Sequence, residues 1–236
     1  MVNNIRVEIC CGNIDDVLAA ARFPIDRIEL NSAMELGGLT PTIASLRKAK
    51  EVTSAAVVCM TRTRTAGFVY TDDAYRVMLE DARILLENGA DGIVFGFLNK
   101  DNTVNIERTK EITALIKSYG REAIFHKAFD QTKDPYQAME SLIEAGVDRV
   151  LTDGQSDTDI LKGCPLLKDL HEKYGARIEI LPGGGVRVDN IREILELTGI
   201  RQIHMSSKKT YYDNGSYNGF EPEQCQKMLE RLQDIR

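Results

Sequence analysis

The 236-residue chain lacks long apolar runs, paired cysteines, a basic excess and low-complexity sequence, and each absence removes a class of protein. No stretch approaches the roughly 20 apolar residues that a membrane helix needs, so no membrane association is expected. The opening MVNNIRVEICCGN carries neither a basic leader nor an apolar core, so no secretory signal is read there. Five cysteines (Cys10, Cys11, Cys59, Cys164 and Cys225) are an odd number at irregular spacing. That excludes the framework of a small disulfide-bonded secreted domain and fits a reducing cytoplasm. A net charge of -6 and a pI near 5.3 disfavour polyanionic partners, so nucleic acid is not expected to bind. HExxH, CxxC and GxGxxG are all missing. A preformed zinc or iron site and a dinucleotide fold therefore have no support, and no organic cofactor is predicted.

What is present is a repeat. Short β-rich runs fall at Ile5–Cys10, Arg27–Asn31, Ala55–Thr61, Gly92–Gly96, Ala123–Ala128, Arg149–Thr152, Arg177–Leu181 and Gln202–Met205. Between them lie amphipathic segments with capping residues at their starts: Asn13, Thr40-Pro41, Thr71, Asn105, Asp134-Pro135 and Asp189. Several end at glycine before the next run, as in NGADGIVFG and TGIRQIHMSS. Eight units at roughly 30-residue spacing predict α/β architecture, a single-domain (β/α)8 TIM barrel over residues 1–236, in preference to an open doubly wound sheet. Gly163-Cys164-Pro165 predicts that the sixth helix is split into two pieces. A turn-rich aromatic segment at about 207–220 precedes the last helix. It reads as a loop, a lid over the mouth or a subunit contact.

Five of the strand runs end in residues able to do chemistry: Glu8, Glu29, Arg62, His126 and His204. In a barrel these ends share one mouth, where active sites form. Alternation pairs Glu8 with Cys10, Glu29 with Asn31, Met60 with Arg62, Ile124 with His126 and His204 with Ser206 on the lumen side. It sends Cys11, Cys59 and Lys127 to the other face, which disfavours a lysine imine. Asp130 lies just beyond His126, placed to orient it, to bind substrate hydroxyls or to cap a helix. Arg64, the Gly183-Gly184-Gly185 turn after the seventh strand, and Ser206-Ser207 after the eighth are candidate binding groups for a small anion such as phosphate. Glutamate as general base and histidine as acid or electrophile complete an enzyme-like set. The alternative is an ion network that closes the barrel and catalyses nothing.

The ordered segments VEICC, RIELNSAMELGGLTP, GFVYTDDAY, GADGIVFG, IFHKAFD, VDRVLTDGQ, PGGGV and IHMSS, spread over nearly the whole chain, resemble the CutC copper-homeostasis family. The resemblance implies a cytoplasmic (β/α)8 barrel, commonly a homodimer, associated with copper tolerance and with Cu(I) in some members. Glu8, Glu29, Arg62, Arg64, His126, Asp130, the Gly183–Gly185 turn and His204 match the family. Asn31 stands where the family usually has cysteine, and TRTR with Thr63 replaces its usual IRPR, which weakens a copper–thiolate site. Three functions follow as expectations. The first is copper homeostasis with Cu(I) held through Cys10 or Cys11. The second is a barrel isomerase, epimerase or lyase acting on a small phosphorylated or carboxylated substrate. The third is a noncatalytic scaffold.

Overall fold

The computed structural model describes residues 1–156, 158–233 and 235. Among these residues, strand and helix alternate as β1 (Arg6–Cys11), α1 (Ile14–Ala20), β2 (Arg27–Leu30), α2 (Ile43–Val52), β3 (Ala56–Met60), α3 (Asp72–Glu87), β4 (Gly92–Phe95) and α4 (Ile106–Ser118). The second half continues with β5 (Glu122–Phe125), α5 (Pro135–Glu144), β6 (Arg149–Thr152), α6 (Ile160–Tyr174), β7 (Glu179–Pro182), α7 (Ile191–Thr198) and β8 (Gln202–Met205). The eight strands are parallel in the order β7-β6-β5-β4-β3-β2-β1-β8. They form a (β/α)8 barrel, as the repeat predicts. The seam between β7 and β8 is bridged by a side chain, since Gln202 Nε2 donates to the Ile180 carbonyl at 3.0 Å. None of the described helices is long and apolar enough to cross a membrane.

Strand alternation sorts the interior into two compartments. Outward residues such as Val7, Ile28, Cys59, Phe95, Phe125 and Ile203 join the helices in the main core. Val58, Met60, Val94 and Ile124 form a separate apolar cluster inside the lumen. Below that cluster lies an ion network. Glu8 Oε2 accepts from Arg27 Nε at 2.8 Å, and Arg27 Nη2 donates to Gln202 Oε1 at 2.8 Å. The fully buried Arg149 pairs with Glu179 at 3.0 Å and Glu122 at 2.9 Å, and stands 3.9 Å from Glu8. None of these basal partners except Glu8 is singled out by the strand-end pattern, because their strand positions lie at the opposite end.

Helix starts follow the capping signals at Asn13, Thr71, Asn105 and Asp134. Two differ. α2 is capped by Thr42, because Thr40 Oγ1 instead accepts the backbone N–H of Arg62 at 3.0 Å. α7 starts after Asn190, whose side chain accepts from Arg187 N at 2.7 Å and makes no cap. Gly89, Gly146 and Gly199 all adopt positive φ (93°, 77° and 71°), which explains why these turns use the one residue without a Cβ.

The predicted break in α6 does not occur. Pro165 lies within one continuous helix, on its exposed side, while Cys164 and Leu167 beside it are buried. Leu167, Leu170 and Tyr174 hold the rest of the helix to the core. Gly163 serves close approach, since a Cβ there would overlap the Asp153 and Gly154 backbone.

The 207–220 segment is an antiparallel hairpin of β9 (Lys208–Tyr212) and β10 (Ser216–Phe220), leading into α8 (Pro222–Gln233). Tyr211 stacks on Tyr217 at 5.6 Å between ring centres and donates its hydroxyl to the Phe220 carbonyl at 2.9 Å. Phe220 N donates to the buried Asp16 at 2.8 Å, which ties the hairpin to α1.

Arg149 is fully buried, while its partners Glu122 and Glu179 are half-exposed and Glu8 keeps Arg27. Arg149→Met, which removes the guanidinium and keeps an unbranched apolar stem, is therefore expected to cost about 0.5–3 kcal/mol of stability. Urea unfolding checks this, and an unchanged midpoint with unchanged slope would refute it.

Candidate functional site

A cavity of about 300 Å³ opens at the carboxyl ends of the strands. Its polar lining is Cys10, Glu29, Asn31, Arg62, His126, Lys127 and His204; Met34, Met60, Phe68 and Leu151 supply apolar walls. The strand-end pattern thus brings Glu29, Arg62, His126 and His204 to one place. A crevice of about 330 Å³ lies at the opposite end of the barrel, bordered by Arg6, Glu179 and Gln202. There Arg6 and Glu179 already pair at 3.1 Å, and Gln202 is committed to the seam, so the mouth is the better candidate.

The wall from β1, β2 and β8 is anionic and sulfur-containing. Glu8 lies just beneath it, with Oε1 2.7 Å from His204 Nδ1. Burial works against the Glu8 carboxylate, but His204 and Arg27 outweigh it and hold the group well below the usual carboxylate range. Burial also opposes charge on His204, while Glu29 and Glu8 together raise its proton affinity. Gly183 gives this imidazole room, because a Cβ there would lie 2.9 Å from His204 Cβ. Asn31 Nδ2 donates to Glu29 Oε2 at 2.8 Å, leaving Glu29 Oε1 buried and without a partner.

Cys10 Sγ lies 3.8 Å from Met34 Sδ and 3.5 Å from Asn31 Nδ2. Met34 reaches it because Gly12 leaves a space: a Cβ at position 12 would sit 2.5 Å from Met34 Cγ. Ligand atoms of Cys10, Glu29 and His204 all lie within 4.8 Å of one another. Burial, and then the Glu29 carboxylate, push the Cys10 thiol well up. Cys11 faces the helix-covered core instead, so the adjacent cysteines do not converge. Its thiol is also raised well up, first by burial and then by Asp16.

The opposite wall carries donors. Arg62 Nη1 donates to the Gly37 carbonyl at 2.9 Å, the guanidinium covers the Phe68 ring at 5.1 Å, and Nε is buried without a hydrogen bond. His126 Nδ1 accepts the Ala128 N–H at 3.0 Å. A backbone N–H can only donate, so the ring proton resides on Nε2, which is buried and unpartnered. The ring rests on Gly96, where a Cβ would come within 2.5 Å of Nδ1, and against Phe68 at 4.9 Å. Burial, and then the charge of Arg62, lower the His126 pKa to about 3. Each buried polar atom left unpaired costs about 1–3 kcal/mol, so four around one cavity, on Glu29, Asn31, Arg62 and His126, mark a place shaped for something else to complete.

Lys127 departs from its expected position. β5 ends at Phe125 and the chain enters a 3-10 turn at Lys127–Gln131, so alternation stops and Lys127 turns back to the cavity. Its ammonium pairs with Asp130 at 2.8 Å and with Asp153. Burial opposes that charge, but the two carboxylates prevail and raise its pKa, which keeps it protonated. Asp130 thus anchors Lys127 and the loop after β6, accepting from Thr152 Oγ1, and from Asp153 N and Gln155 N at 3.3 Å each. Asp130 is committed to Lys127 and this loop, and His126 is oriented instead by the Ala128 N–H.

The glycine turn packs on this ion pair, since a Cβ at Gly184 would lie 2.7 Å from Lys127 Nζ. Gly185 also has positive φ (79°). Arg64 is exposed and folds onto its own loop, donating to the carbonyls of Thr65 and Val69 at 3.2 and 2.6 Å. Ser207 Oγ donates to the Glu221 carbonyl at 2.6 Å and fastens the hairpin; Ser206 is half-buried beside it. Alternation sent Lys127 away from the lumen; the KAFD spacing, with Asp130 three residues after Lys127, is a sequence signal that could have indicated its pairing. Met34 and Phe68 come from connecting loops that carry no periodic signal.

A parallel eight-stranded barrel with ionisable side chains converging on a cavity at its carboxyl-end mouth defines a (β/α)8 barrel protein with a polar mouth. A model of the CutC family matches residues 5–209. A CutC family protein of Treponema denticola is 43% identical over 208 residues, covering 88% of this chain and 83% of that protein. The copper homeostasis protein cutC homolog of Homo sapiens is 37% identical over 208 residues, 88% of this chain and 75% of its own. The crystal structure of the CutC protein of Streptococcus agalactiae superposes with a TM-score of 0.80 at 31% identity, covering 85% of this chain and 97% of that one. The chain belongs to the CutC copper homeostasis family. N-(5'-phosphoribosyl)anthranilate isomerase of Pyrococcus furiosus, with a TM-score of 0.62 at 14% identity over 98% of this chain and 100% of its own, shares the fold alone.

The depressed His126 pKa has a testable sign. Above the ordinary histidine value of about 6.5 the ring is neutral in both folded and unfolded chains. As pH falls from there toward about 3, the unfolded chain takes up a proton that the folded one refuses, so this residue costs stability in acid. The melting temperature of His126→Gln should fall less between pH 7 and pH 4 than that of the parent. Parallel curves would contradict this.

Proposed function

We propose that this protein acts in copper homeostasis by binding Cu(I) at the barrel mouth through Cys10, Met34 and His204. The observation that carries the reading is the pair of sulfurs 3.8 Å apart, with the His204 imidazole converging on the same thiol. Thiolate and thioether are soft donors suited to Cu(I), and imidazole accepts it readily. His204 has the support expected of a metal ligand, because its Nδ1 is held by Glu8, which orients the ring and fixes the tautomer. Glu8 is in turn held by Arg27.

Asn31 removes the cysteine that relatives usually carry at this position, and Met34 stands in as the second sulfur. Glu29 adds a negative charge beside the cation. The reading includes a reducing cytoplasm, which keeps the Cys10 thiol and Cu(I) reduced, and the homodimeric state that the family resemblance implies. When bound, the ion would be cargo held for transfer or sequestration. In this reading Cys11 has no part, because it faces away from the cavity.

Anaerobic competition against a chromophoric Cu(I) chelator tests the assignment. Cys10→Ser should abolish competition and Met34→Leu should weaken it, while Glu8→Gln, which disturbs the group behind His204, should cost about 10- to 100-fold in affinity. Cys11→Ser and Cys59→Ser should bind Cu(I) as the parent does while melting at lower temperature, since both thiols are core residues. Parental affinity in Cys10→Ser would end the proposal.

A further inference from the structure

We infer that the same cavity is a site for proton transfer beside a carbonyl group, taking small carbonyl compounds that carry one carboxylate or phosphate, with Glu29 as base and His126 as donor to the carbonyl oxygen. The inference goes beyond copper binding and does not depend on it, since neither residue is among the three proposed copper ligands.

Four residues of the cavity, Glu29, Asn31, Arg62 and His126, each hold a buried polar atom without a partner. Those of Glu29 and His126 are chemically complementary to an enolising carbonyl compound. Glu29 Oε2 is occupied by Asn31, so Oε1 is the oxygen open to accept a proton. The Ala128 N–H fixes the His126 tautomer, so Nε2 offers a proton and cannot take one. Burial and Arg62 keep the imidazole neutral, which suits a group that stabilises an oxyanion by hydrogen bonding. β2 and β5 lie three strands apart around an eight-stranded barrel, so base and donor approach the cavity from different sides.

Arg62, whose Nε is buried without a partner, places positive charge on the lining, and Met60, Phe68 and Leu151 leave apolar room for a short carbon skeleton. The volume of about 300 Å³ is at the lower end for ligand sites and restricts occupants to small metabolites.

The step balances without a co-reactant. Glu29 Oε1 removes the proton on the carbon next to the carbonyl, the C–H electron pair becomes the C=C bond, and the carbonyl π pair moves to oxygen. That oxygen accepts the hydrogen bond from His126 Nε2. Return of the proton from the Glu29 carboxylic acid restores the substrate. Its delivery to the other face of the same carbon after reorientation gives an epimer; where that carbon bears a hydroxyl, delivery to the former carbonyl carbon gives an isomer, the hydroxyl proton passing to the oxyanion as its own oxygen becomes the new carbonyl.

The test is solvent exchange in deuterium oxide with metal-free protein, using pyruvate and dihydroxyacetone phosphate as probes and proton NMR as readout. At least one probe should lose its α-proton signal ten or more times faster than in buffer. Glu29→Gln and His126→Gln should each slow this exchange by at least 100-fold while unfolding like the parent at pH 7. Exchange no faster than buffer with both probes would overturn the inference, as would exchange that survives in both variants. Exchange abolished by Lys127→Arg but retained in Glu29→Gln would assign the chemistry to a lysine imine and overturn it too. Cu(I) affinity measured on the same Glu29 and His126 variants reads the copper site separately, so either conclusion can fail without the other.

Discussion

The rest of the structure hangs on the two oxygens of Glu8. One accepts from Arg27 and joins the ion network at the base of the lumen; the other meets His204 and so reaches the mouth. A carboxylate buried to this degree persists only when fully paired, and its partners come from β2 and β8, the two strands that flank β1. Arg149 brings in β5, β6 and β7 through Glu122 and Glu179. The charges that make Glu8 tolerable therefore also fix the strands around it.

Between the ionic base and the polar mouth sits a thin apolar layer of Val58, Met60, Val94 and Ile124. It fills the lumen beside β3, β4 and β5, while Glu8 links the two ends on the β1 side. The mouth itself is divided by strand. β1, β2 and the loop after β2 bring the thiol, the thioether and Glu29, while β3 and β5 bring Arg62 and His126. Soft sulfur and a free carboxylate oxygen stand on one side and hydrogen-bond donors on the other, so the two proposals draw on different atoms of one small cavity.

Much of this was legible from residues alone. The strand cores and the parity that separates Cys10 from Cys11, and buries Cys59 beneath helices, follow from period-two alternation, which holds wherever a strand stays extended. The convergence of Glu29, Arg62, His126 and His204 follows from barrel topology. Parity misplaced Lys127 because β5 ends two residues earlier and the backbone becomes helical there. Pro165 signalled a break that the packed face of α6 overrides. Thr40 looked like a cap and proved to be a clamp on the Arg62 backbone, since the same hydroxyl satisfies whichever N–H the fold brings to it.

The sequence by itself determined the periodic features: eight βα units, the faces of their strands, and which ionisable residues end them. Local sterics and hydrophobic spacing set these within a few residues. Only the tertiary structure decided the pairings: Met34 against Cys10 through the gap at Gly12, Arg149 among three carboxylates, Lys127 between Asp130 and Asp153, and the Ala128 N–H that assigns the His126 proton to Nε2. Most of these contacts join positions distant in sequence or depend on how a loop ends, and a hydrogen bond is set by the few ångströms between atoms, which residue order does not encode until the barrel closes.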